Sequence, residues 1–249
     1  MKLLLIGAGN MRGAMLQGLH VKNITVVESK DERAYELQLR YPSIKIVQKI
    51  PSLDGYVVIL AIKPQSFHGL KTTGKAKAVI SIMAGIPLAT LRENIASQQY
   101  IRSMPNMAAL ACKSATSVCG DESFKEEALE ILSTIGSCFW FESEKELDIA
   151  MGLAGCAPAW MALVAEALSD GAVNLGLKRE VTYPMIAALF EGMGEVLKHE
   201  HPALIKDKVM SPAGTTVAGY AKLEEGKVRD SFIKAMEASF ERAKSLGKK

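Results

Sequence analysis

Short, near-continuous apolar runs recur through the first half of the chain, at residues 2–6, 24–28, 44–46, 56–61, 78–81 and 100–103. Such runs mark strands buried on both faces, where no polar side is needed. Between them the apolar spacing turns helical, at 14–20 and 31–41. Strand, turn and helix in repetition predict parallel βαβ units and a doubly wound sheet. After about Glu144 the alternation disappears. The remainder predicts helices at 147–153, 158–174, 179–200 and 228–246, broken by glycines and rich in alanine, methionine and leucine. The 158–174 helix carries so few charges that it should be buried nearly all round. It is either an internal core helix or the face of a homodimer or larger homo-oligomer.

Composition changes this picture little. With 249 residues the chain can bury a sizeable core as one large domain or two smaller ones. The formal net charge is +3, and the lysines and arginines are scattered apart from Lys248-Lys249, so a solvated surface is expected rather than a nucleic-acid interface. No apolar run reads as a transmembrane helix, and no membrane partner is expected. The apolar start at 3–6 is cut by Gly7-Ala8-Gly9-Asn10, too soon for a secretory signal. The four cysteines, Cys112, Cys119, Cys138 and Cys156, show neither CxxC nor metal-ligand spacing, which predicts reduced thiols in a cytoplasmic protein. The four histidines, of which only His199 and His201 are close in sequence, give no metal site.

The candidate chemistry begins at the first turn. Gly7-Ala8-Gly9-Asn10-Met11 lies between the first strand and the first helix. Gly7 permits a tight turn, and Gly9 lets the backbone approach a pyrophosphate at a helix N-terminus, where free N–H groups favour an anion. The second strand ends in Glu28, twenty-one positions after Gly7, where a carboxylate would accept from the ribose 2′-OH of NAD. Ser29, Lys30 and Arg33 follow and could instead hold the 2′-phosphate of NADP. NADH or NADPH is the expected cofactor, with Glu28 favouring NADH. The fold class is α/β: an N-terminal Rossmann-type dinucleotide-binding domain over 1–145 plus an all-helical C-terminal domain for dimerisation and substrate over 146–249.

Further stretches follow in order: VVILAIKPQ from Val57, VISIMAGIPL from Val79, YIRSMPNMAAL from Tyr100 and VMSPAGTTVAGY from Val209. Together with GAGNM they resemble pyrroline-5-carboxylate reductase over nearly the whole chain. Three positions depart from that family's pattern. Arg12 replaces Gly or Ala, Ala213 replaces the first glycine of the Ser-Pro-Gly-Gly loop, and Ala154-Gly155-Cys156-Ala157-Pro158-Ala159-Trp160 replaces Ser-Gly-Ser-Gly-Pro-Ala-Tyr.

The resemblance implies hydride transfer from NADH or NADPH to the cyclic imine 1-pyrroline-5-carboxylate, giving L-proline. If the ring nitrogen binds protonated, the protein needs mainly to bind, orient and exclude water. That accounts for a site with no histidine, cysteine or carboxylate in Ser211-Pro212-Ala213-Gly214-Thr215-Thr216. The resemblance places Gly7, Gly9, Asn10, Met11, Glu28, Ala61, Lys63, Pro64, Ala84 and Gly85 against the cofactor. It places Asn106 against substrate or cofactor, and Ser211, Gly214, Thr215 and Thr216 against the substrate, with Thr216 beside the ring as orienting group or proton donor. The plain alternatives are a helix cap at Thr216, a snorkelling Lys63, a turn-forming Asn106 and packing at Cys156. Other readings remain: a two-domain reductase of another imine or of a β-hydroxy acid, or a non-catalytic dinucleotide-binding protein.

Overall fold

The computed structural model describes residues 1–7, 10–19 and 23–246. Eight strands form one sheet: β1 (Lys2–Ile6), β2 (Ile24–Val27), β3 (Lys45–Val47), β4 (Tyr56–Leu60), β5 (Ala76–Ser81), β6 (Ser97–Met104), β7 (Ser114–Gly120) and β8 (Gly136–Trp140). Their order is β3-β2-β1-β4-β5-β6-β7-β8. The first six pair in parallel, β7 runs antiparallel to β6, and β8 is parallel to β7. The order 3-2-1-4-5-6 is the doubly wound dinucleotide-binding arrangement, and it reverses between β1 and β4.

The core shows why the strands read as continuous apolar runs. Along β1, Leu3 and Leu5 join one buried cluster, while Leu4 and Ile6 join the other. The same alternation separates Val57 and Ile59 from Val58 and Leu60 on β4. Successive side chains point to opposite faces, and both faces are covered. Helix α1 (Asn10–Gly18) supplies Ala14, Met15 and Leu16 to the first cluster, and α4 (Lys125–Ser133) adds Ala128, Ile131 and Leu132. On the other face lie Phe67 and Leu91, the latter from α3 (Leu88–Asn94). Helix α2 (Asp31–Arg40) follows β2.

Beyond the sheet come α5 (Glu144–Met151), a π-helical turn over Gly152–Cys156 and α6 (Ala157–Asn174). Then follow α7 (Arg179–Val196), α8 (Pro202–Val209), α9 (Thr215–Glu225) and α10 (Val228–Leu246). Helix α5 starts on a capping box in which Ser143 and Glu146 satisfy each other's backbone N–H groups. The contacts divide the chain into Met1–Cys156 with Ser239–Lys249, and Ala157–Ala238.

Three expectations for this half need correction. The predicted helices 147–153 and 158–174 are not separate: the glycines of the 152–156 segment are absorbed in a π turn, so helix runs from Glu144 to Asn174. This 31-residue run, with a window of mean hydropathy 1.6, is long and apolar enough to cross a membrane by length and composition, contrary to the sequence reading. Nor is α6 buried all round within one chain, where Ser169 is its buried residue. Met161, Leu163 and Leu168 are exposed, as are Met185 and Leu189 of α7.

Candidate active site

A cleft of about 570 Å3 opens where β1, β2 and β4 end, at the point where the strand order reverses. It is lined by Gly7 after β1, Glu28 and Ser29 after β2, Arg33 on α2, and Ala61, Lys63 and Ser66 after β4. Such sheets bind their ligands at this point. Gly7 has φ +133°, and a Cβ built on it would stand 2.2 Å from the Ala61 carbonyl oxygen. Only glycine fits there, and the strand ends close up beneath the cleft. Helix α1 begins at Asn10, so its first backbone N–H groups are available to an anion. Gly9 lies outside the described residues. Met11 packs against the core, which leaves its backbone as the part available to a ligand.

Glu28 is 3% exposed, and its Oε1 accepts from the Lys30 N–H at 3.0 Å. The carboxylate therefore shapes the turn between β2 and α2 as well as lining the cleft. Ser29, Arg33, Lys63 and Ser66 are exposed along the same wall. Pro64 opens a short 3-10 turn with Lys63 as its cap. Ala84 and Gly85 lie in the turn that follows β5, half-buried, outside the lining of the cleft.

Asn106 follows β6 and is held by several intramolecular bonds. Its Oδ1 accepts from Ala108 N–H at 3.0 Å, its Nδ2 donates to the Ala154 carbonyl at 2.9 Å, and its backbone N–H donates to Ser114 Oγ at 3.0 Å. Four residues earlier on β6, Arg102 is 4% exposed and donates to Glu144 Oε1 at 2.7 Å and to Asp148 Oδ1 at 3.0 Å. Burial alone would lower its pKa, but the Glu144 hydrogen bond and the charges of Asp148 and Glu144 outweigh that and raise it. Opposite Arg102 on β7, Cys119 is pushed up to about 12, chiefly by burial. Burial likewise pushes Cys138 up to about 11. Both thiols are protonated at neutral pH and unsuited to nucleophilic chemistry.

The loop Ser211–Thr216 belongs to the helical unit. Ser211 O accepts from Gly214 N–H at 3.0 Å, and a Cβ on Gly214 would stand 2.4 Å from Ser211 Oγ. Gly214 is the N-cap of α9 and makes no side-chain cap. Thr215 and Thr216 therefore occupy the first two helical positions, so Thr216 is not the cap residue. Both threonines and Ser211 are exposed, and the free N–H groups of the first turn of α9 lie beside them. Among the described residues no cluster of His, Cys, Asp and Glu could hold a metal.

Residues 144–246 match the family model of pyrroline-5-carboxylate reductase dimerisation. Residues 2–85 match a model described as NADP oxidoreductase, coenzyme F420-dependent. The pyrroline-5-carboxylate reductase of Methanosarcina acetivorans is 34% identical across 98% of this chain and 97% of its own. The chain belongs to the pyrroline-5-carboxylate reductase family. The enzyme of Thermus thermophilus is 31% identical across 99% of both chains. The solved Coxiella burnetii pyrroline-5-carboxylate reductase superposes with a TM-score of 0.87 at 27% identity, over 100% of this chain and 99% of that one. Within the family fold, the sequence reading did not select Arg102, Glu144 and Asp148. Arg102 directly follows the buried Ile101 on β6, and that charge inside the sheet was the signal for them.

Proposed function

We propose that this protein reduces 1-pyrroline-5-carboxylate to L-proline with NAD(P)H, and family membership carries that reading. The cleft at the ends of β1, β2 and β4 fits a dinucleotide, since it opens where the strand order reverses and Gly7, lacking a Cβ, lets the ends of β1 and β4 meet beneath it. Gly7, Gly9, Asn10 and Met11 would hold the pyrophosphate by backbone groups, and Glu28, Ala61, Lys63 and Pro64 the adjoining ribose, with Ala84 and Gly85 beyond the next strand. When bound, the dinucleotide supplies the hydride that reaches the imine carbon.

The protein's own part is to bind and orient. The N–H groups opening α9, beside Ser211, Gly214 and Thr215, suit the substrate carboxylate. The Thr216 hydroxyl orients the ring nitrogen, which arrives protonated, so no side-chain acid is needed. Asn106, committed to Ala108 and Ala154, contributes by fixing the segment after β6. Ser29 and Arg33 stand exposed beside a buried Glu28, which supports NADPH over NADH and reverses the preference expected from Glu28 alone.

We assign residues 1–145 to dinucleotide binding and 146–249 to dimerisation and substrate, with a second copy of the chain covering the exposed apolar faces of α6 and α7. Four free cysteines fit a cytoplasmic enzyme. The test is purified protein with pyrroline-5-carboxylate and each reduced dinucleotide, followed by nicotinamide absorbance and by proline formed. Absence of proline with both dinucleotides would leave a related imine or β-hydroxy-acid reductase, or a binding protein, as the reading.

A further inference from the structure

Glu144 is a junction of three chain segments. Its Oε1 accepts from Arg102 at 2.7 Å and from the Leu88 N–H at 2.9 Å. Leu88 opens α3 directly after the segment that carries Ala84 and Gly85, Arg102 lies on β6, and Glu144 opens α5. Arg102 reaches a second point on α5 through Asp148 at 3.0 Å. A further bond joins the same two segments farther along, from Asn106 Nδ2 to the Ala154 carbonyl in the π turn. The span from Arg102 to Asn106 is thus pinned to the span from Glu144 to Ala154 at both ends, and the turn after β5 is tied into the same carboxylate.

Stability alone is a weak account of this cluster. A buried arginine gives up its hydration, and replacing such an ion pair with apolar residues is often neutral or stabilising. Among the described residues the buried Nε of Arg102 has no hydrogen-bond partner, so the cluster does not satisfy every donor that it buries. Fixed geometry is what a hydride transfer requires, where a ~1 Å misplacement can cost on the order of a hundred-fold.

We infer that Arg102 and Glu144 are positioning residues of the reduction: they hold the turn at 83–87 and the segment 104–106 in one fixed arrangement against α5. The inference rests on the reading that Ala84, Gly85 and Asn106 serve the cofactor and substrate. It distinguishes Arg102 and Glu144 from any residue that touches a ligand.

The test compares Glu144→Ala, Glu144→Gln and Arg102→Lys with the parent by thermal unfolding, dinucleotide Kd by calorimetry, and kcat and KM. In folded Glu144→Ala, kcat should fall and dinucleotide Kd rise, each by about ten-fold, because both segments lose their anchor. Glu144→Gln keeps an oxygen for Arg102 and for Leu88 N–H and should return both to within about three-fold of the parent. Arg102→Lys, whose single ammonium cannot fork to two carboxylates, should lower kcat by about five-fold. Parent-like kcat and Kd in folded Glu144→Ala overturns the inference. If that variant does not fold, a parent-like kcat in Arg102→Lys does so, and failure of both to fold overturns it in favour of a folding role. If the parent binds dinucleotide but makes no proline, the proposed activity is what fails, and the Kd comparison still decides the positioning role.

Discussion

Gly7 and Ala61 meet backbone to backbone: a Cβ on Gly7 would stand 2.2 Å from the Ala61 carbonyl oxygen. The contact joins the ends of β1 and β4, where the strand order reverses and the dinucleotide cleft opens. Gly7 also has φ +133°, which an L side chain rarely adopts. Gly7→Ala should therefore push the two strand ends apart and raise dinucleotide Kd by about ten-fold or more, with a loss of about 1–3 kcal/mol in stability. Calorimetric titration and thermal unfolding of the variant check both. An unchanged Kd would move the pyrophosphate away from this turn.

Cofactor choice follows from the cleft wall. A 2′-phosphate would meet Arg33 and Ser29, both exposed, beside a Glu28 carboxylate that already accepts from Lys30 N–H. NADPH should be preferred in kcat/KM, and Arg33→Gln should weaken NADPH by about ten-fold or more, since charge-assisted bonds contribute about 1.5–3 kcal/mol. NADH should change by less than about three-fold. Equal losses with both dinucleotides would make Arg33 a general support of α2.

Thr216 occupies the second position of α9 with Gly214 as the cap, so its hydroxyl is not consumed in starting the helix. Thr216→Ala should lower kcat/KM for the imine by about ten-fold or more, each ~1.36 kcal/mol being one factor of ten, while dinucleotide Kd stays within about two-fold. Thr216→Ser should restore most of the loss. Parent-like turnover in Thr216→Ala would remove the hydroxyl from the reaction, and a collapse of dinucleotide affinity would assign the loop to the other ligand.

Ala213 has φ +59°, the left-handed region, within the substrate loop. A left-handed alanine costs roughly 1–2 kcal/mol, part of which is offset because alanine restricts the unfolded chain more than glycine does. Ala213→Gly should raise stability by about 0.5–1 kcal/mol in denaturant unfolding. A destabilised variant would mean that the methyl group makes a contact worth more than the strain.

The apolar faces of α6 and α7 set the last expectation. Leu163 is 65% exposed and Leu189 50% in the single chain. Sedimentation should give a dimer or larger. Leu163→Asp together with Leu189→Asp should shift it toward the 26.9 kDa monomer, because burying an unpaired carboxylate costs several kcal/mol. A parent protein that is monomeric at micromolar concentration would leave those faces without a partner.

The candidate site was legible wherever it depended on neighbouring residues. Gly7 follows β1 directly, and Lys63 and Pro64 follow β4, so each stands at the strand end that its position in the sequence implied. Asn106 follows β6 in the same way, although the bond that its Nδ2 donates to Ala154, 48 residues away, was not visible. Glu28 was legible as the end of β2, whereas its burial and its bond to Lys30 N–H were not.

The sequence by itself determined the first six strands, their parallel pairing and the helical character of the second half. Strands buried on both faces need continuous apolar runs, and helices need their own period, and both are local signals. It determined the family as well, because ordered motifs such as Arg102-Ser103-Met104-Pro105-Asn106 survive in the chain itself. Only the tertiary structure decided β7 and β8, whose SATSVCG and GSCFW mix polar and apolar residues and acquire strand form by pairing with β6 and with each other. It alone fixed the start of α9, whose cap is the backbone of Gly214 rather than the side chain of Thr216. It alone brought Arg102 to Glu144 and Asp148 across 42 and 46 residues. No local periodicity encodes such a pairing, which exists only once β6 and α5 have packed.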